Sequence, residues 1–204
     1  MSVAPCRLDG TAMRPPLFTT EMLVVFGATV TAVVDALQVL AREAGFQPVA
    51  PDLVLVADDQ VPLLDGDEMR FALLPGPDWV GVFPSACDDG TVAGLLSARL
   101  GRPVLHLWLE AGEVFGGSLF RAGQEVVAFA SDQPGPLPVG ALTALVPTAD
   151  PASVDRPDLA AADRLVGLLE GLGLGALATT YTALVQAEDG AVVHLAFLRD
   201  PLWP

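Results

Sequence analysis

The sequence predicts an α+β fold, with a mixed or mainly antiparallel sheet and helices largely on one face. Three observations carry that expectation. Short runs rich in Val, Leu, Phe and Trp recur between turns containing Gly and Pro, as strands do. A few longer segments space their apolar residues by three and four, as amphipathic helices do. Two pairs of runs are joined by connections short enough for antiparallel neighbours, Pro75-Gly76-Pro77-Asp78 and Arg121-Ala122-Gly123-Gln124.

Residues 1–20 have no period and contain several prolines, so they read as a loose tail before a single globular domain over 21–204. Met22 to Phe26 is the first strand. Thr29 or Thr31 caps a helix whose face is Val33, Val34, Leu37 and Leu40, and Gly45 stops it. Leu53 to Ala57 is a strand, Asp58 to Glu68 an acidic loop, and Met69–Leu74 with Trp79–Phe83 a strand pair. Asp88 and Asp89 offer oxygens to the open N–H groups of the next helix, where negative charge also suits the dipole. That helix starts at Thr91, presents Val92, Leu95, Leu96 and Leu100, and ends with Arg99 before Gly101.

Val104 to Leu109 has no polar face and reads as a central strand covered on both sides. Phe115–Phe120 and Glu125–Ala130 form a hairpin, with Gly116 and Gly117 marking a bulge or a close backbone approach. Residues 133–156 are a Pro-rich connection without a trusted period. Pro157 to Leu172, capped by Asp155, is the third helix, with Leu159, Ala162, Leu165, Val166 and Leu169 as its stripe. Residues 180–188 fit a short helix capped by Thr179 or Thr180, or a strand, and Val192 to Leu198 is the last strand. The order of elements hints at two βαββ-like units followed by a C-terminal helical segment and a final strand.

Composition narrows the function classes. The net charge is −15, with 25 acidic residues against ten arginines and no lysine, so phosphate backbones and anionic membrane surfaces are poor partners. The chain also lacks Ile and Asn while Ala, Gly, Pro, Leu and Val abound, the composition of a GC-rich bacterial genome. Two cysteines make no disulfide framework, no leader-like or membrane-spanning run is evident, and the expected compartment is the cytoplasm.

Few residues combine into chemistry. Cys87 precedes a helix N-terminus, which favours a thiolate, but Asp88 and Asp89 beside it oppose one. A nucleophile needs a base, and the two histidines, His106 and His194, both fall inside strands. Two imidazoles alone make no structural zinc site, and the acidic loop matches no calcium-binding spacing. Phe26-Gly27-Ala28-Thr29 lies between a strand and a helix but lacks the glycine spacing of a dinucleotide turn. No metal site, cofactor or catalytic set is therefore expected.

The sequence alone favours a non-enzymatic interaction module that binds a protein partner or a second copy, through exposed Trp79, Phe115 and Trp203. The alternative is a small-molecule-binding protein or enzyme whose pocket holds Cys87, Asp88 and His106. A further alternative is an acidic decoy for a basic partner.

Overall fold

The described residues are built on one eight-stranded sheet in which every neighbouring pair is antiparallel. A computed structural model describes residues 19–50, 63–133, 137–146, 149, 158–186 and 191–201. The strands are β1 (Thr20–Phe26), β2 (Phe46–Val49), β3 (Glu68–Pro75), β4 (Trp79–Pro84), β5 (Val104–Glu110), β6 (Val114–Arg121), β7 (Gln124–Ala130) and β8 (Val193–Arg199). The described helices are α1 (Val30–Glu43), α2 (Thr91–Leu100), α3 (Val139–Thr143), α4 (Ala161–Gly171) and α5 (Tyr181–Gln186), with a 3₁₀ turn at Gly175–Leu177. The sheet order is β2-β8-β3-β4-β1-β5-β6-β7, so the last strand enters between the second and third. This is the expected α+β class with an antiparallel sheet.

Strand alternation divides the apolar residues into two cores. On β1, Leu23 and Val25 point to one face and Met22, Val24 and Phe26 to the other. Val33, Ala36, Leu37 and Leu40 of α1, with Val92, Ala93 and Leu96 of α2, close the first face. Leu142 of α3, Leu165, Leu168 and Leu169 of α4, Leu177 of the 3₁₀ turn and Leu184 of α5 close the second. α1 and α2 thus share one face, and the C-terminal helical segment covers the opposite one. Two covered faces explain why β1, β4 and β5 lack a polar stripe. Each Leu or Phe fully buried this way contributes about 1.5–3 kcal/mol.

Local chemistry explains where the expected elements shift. β2 is absent from the sequence reading because Pro48 interrupts its only polar-apolar run. Proline is tolerated there because, among the described residues, β2 is an edge strand paired only with β8. The expected strand at Leu53 to Ala57 and the Asp155 cap lie outside the described residues. Pro157 lies outside the described residues, residues 158–160 are not helical and α4 starts at Ala161; residues 181–186 are helical, with the Thr180 Oγ1 accepting from the Ala183 N–H at 3.2 Å. Leu95, placed on the buried stripe of α2, is 41% exposed; Ala93 takes the inward position instead. Gly116 and Gly117 mark close approaches: a Cβ would lie 2.4 Å from the Trp108 ring and 2.5 Å from the His106 carbonyl oxygen respectively. The register irregularity falls further on, between Leu119 and Phe120.

The surface expected of Trp79, Phe115 and Trp203 is not formed as such. Trp79 and Phe115 are both buried in the second-face core, because each occupies an inward position of its strand. Trp203 lies outside the described residues. No helix among the described residues is long and apolar enough to cross a membrane.

Candidate functional site

Alternation along β1 puts Glu21 on the same face as Leu23 and Val25. Register places Glu21 opposite Trp108 and Leu23 opposite His106 on β5. Glu21 and His106 are therefore diagonal neighbours on one face, within reach of long side chains. The Glu21 Oε1 lies 2.7 Å from the His106 Nε2, and His106 is buried.

The connection from β4 to α2 delivers the third group. Pro84 ends the strand, and the chain turns through Ser85, Ala86, Cys87, Asp88 and Asp89 to Gly90. Gly90 adopts φ 89° at the N-cap, a conformation that suits glycine, and the two aspartates cap α2 from just before it. The Val92 N–H donates to the Asp88 Oδ1 at 3.0 Å, and the Thr91 N–H to the Asp89 Oδ1 at 3.1 Å. The Asp88 backbone N–H donates to the Glu21 Oε2 at 2.9 Å, which ties this connection to β1. Glu21 thus bridges β5 and the start of α2 with its two oxygens.

Asp88 is 2% exposed, and its second oxygen, Oδ2, is buried without a hydrogen-bond partner. Burial pushes its carboxyl up to about 6. The His106 imidazole and the Val92 N–H oppose that rise, whereas Glu21 and Asp89 add to it. Asp89, at the surface, is held below the ordinary carboxylate range by its bonds from Thr91. Cys87 is an exposed free thiol, and partial burial of its sulfur together with the charges of Glu21, Asp88 and Asp89 pushes it up. It is a thiol at neutral pH, poorly suited to attack.

These groups wall a cavity of about 730 Å³ at the end of the sheet where β1 begins and β4 and β5 finish. Trp108, Glu110 and Ser118 line it from the sheet, and Thr180, Tyr181 and Thr182 from the start of α5. The Thr20 Oγ1 donates to the Thr179 carbonyl at 3.2 Å and so fixes α5 beside the opening strand. Burial also pushes the Tyr181 phenol up.

Cys87, Asp88 and His106 thus lie in one cavity, as the pocket alternative expects of them. Glu21, the group that connects them, is missing from the sequence reading because that reading starts the strand at Met22. Its available signal is a single carboxylate on a face that continues as Leu23 and Val25. His194 pairs with Ala72 on the opposite face from His106, and it lines a separate cavity of about 260 Å³ with Arg70 and Tyr181. The two histidines therefore share no face. Among the described residues no group of three or more His, Cys, Asp or Glu has the arrangement of a metal site. The chain matches no family model, no curated protein and no solved structure.

Proposed function

We propose that the protein binds a small molecule in this cavity, with Asp88, His106 and Glu21 as its polar wall. One observation carries the reading. Three ionisable side chains from β1, β5 and the β4–α2 connection converge behind one opening, and one buried carboxylate oxygen is left without a donor. Burying such groups costs stability, and an apolar trio would fill the same space more favourably. Ligand sites are where folds carry that cost. An interaction module acting through Trp79 and Phe115 has less support, since both side chains are in the core. The setting proposed is the bacterial cytoplasm, on the composition and the sparse cysteines.

The test pairs native mass spectrometry of the full chain from its source organism with a cavity-filling variant, Ser118→Phe. A small-molecule mass retained by the wild type and lost from a folded Ser118→Phe protein is the expected result. A wild type that carries nothing, together with a ligand-observed NMR screen whose hits are indifferent to Ser118→Phe, would sink the reading.

A further inference from the structure

We propose that the ligand is a protonated alkylamine, its ammonium group bound at Asp88 and its chain lying along Trp108 and Tyr181. This rests on the binding reading above and names the chemistry that the cavity selects. The wall carries Glu21, Asp88, Asp89 and Glu110, and among the described residues that line it there is no arginine. Even a protonated His106 leaves the cavity strongly negative, so it repels carboxylates and phosphates and concentrates cations.

Charge alone would fit any cation. The buried Oδ2 of Asp88 adds the specific element, because it is an acceptor that lacks a donor. Glu21 is already engaged by the His106 ring and the Asp88 N–H, and the Asp88 Oδ1 by the Val92 N–H. An ammonium brings N–H donors as well as charge, which a quaternary ammonium does not. The indole of Trp108 and the phenol ring of Tyr181 provide apolar surface with a negative π face, suited to the carbon chain next to a cation.

Binding should be linked to protons. Asp88 is faced by Glu21 from β1, by His106 from β5 and by Cys87 and Asp89 in its own connection. Its carboxyl is held up by burial. An arriving ammonium favours the ionised form, so amine affinity rises with pH through the mildly acidic range while the amine itself stays charged.

The test is isothermal titration calorimetry of the full chain with n-butylamine, 1,4-diaminobutane, tetramethylammonium and butyrate as probes. The expected result is that the two amines bind at least about tenfold more tightly than butyrate or tetramethylammonium. Asp88→Asn should remove that preference, while Asp35→Asn on the exposed side of α1 leaves it intact. Glu110→Gln, at the exposed end of β5, serves as a second variant outside the buried network and weakens amine binding by about threefold. Butyrate binding as tightly as butylamine would overturn the amine assignment while leaving the cavity reading standing. Absence of amine binding at millimolar concentration overturns it too. The cavity reading falls only if the Ser118→Phe comparison also fails.

Discussion

At the scale of single residues, Asp88 connects stability to the proposed binding. Its folded-state carboxyl titrates at about 6 against an ordinary 3.8, so the folded protein holds a proton that the unfolded chain releases. The stabilising contribution is full below 3.8 and is lost as pH rises through about 6. The ionised carboxylate then costs about 3 kcal/mol at neutral pH. Urea unfolding of wild type and Asp88→Asn from about pH 4 to about pH 7 should show the wild type losing stability relative to the variant across that range. A constant difference would mean that Asp88 titrates normally. Cys87 gives a second residue-scale expectation: although exposed, it should react with iodoacetamide more slowly than a free thiol at neutral pH, and Glu21→Gln should speed it up. Equal rates in wild type and variant would remove Glu21 as an influence. The neighbourhood of Cys87 and Asp88 was legible because a helix cap and a thiol are both local features. Glu21 was not, because its role depends on a diagonal across strands 85 residues apart in sequence.

At the scale of elements, the sequence specifies a helix where its cap and its apolar stripe agree. α2 starts and stops at the residues that Asp88, Asp89 and Gly101 dictate. The periodic stripe nevertheless misplaces Leu95, because the alternation of large residues ignores how closely α2 packs at Gly94 and Ala98 against Phe120 and Gly123 of the β6–β7 hairpin. β2 is not legible in the sequence because four residues with a proline carry almost no period, and its pairing with β8 is a long-range event. Glycine spacing proved more informative than strand period. Gly117→Ala places a methyl 2.5 Å from the His106 backbone carbonyl, which cannot swing aside as a side chain would. Gly140→Ala, in α3, meets nothing within 4 Å. The first substitution should cost about 1–3 kcal/mol by overpacking, and the second should be neutral or stabilising by up to about 1 kcal/mol. Denaturant midpoints of the two variants test this, and similar midpoints would contradict the close approach of β5 and β6.

At the scale of the molecule, the last strand decides whether the sheet is whole. β8 fills the gap between β2 and β3, hydrogen-bonding along both sides. Phe197 packs edge-on against Phe71 at 6.3 Å, and the Arg199 guanidinium lies over the Phe46 ring at 4.5 Å while donating to the Leu64 and Gly66 carbonyls. Alternating apolar residues made a final strand at this position legible, but its place in the order was not, since nothing local selects a partner more than a hundred residues away. Without β8, β2 has no neighbour among the described strands, the edge of β3 is open, and the apolar Phe46, Met69 and Phe71 lose their cover. A chain ending at residue 190 should therefore lose cooperative unfolding and associate through the open edge of β3, seen as a broadened urea transition and a higher scattering mass. The cavity lies at the other side of β3, where β1, β4 and β5 meet, so its walls do not include β8. If the truncated chain still unfolds in one sharp transition with an unchanged m-value, β8 is an accessory strand rather than the element that completes the sheet.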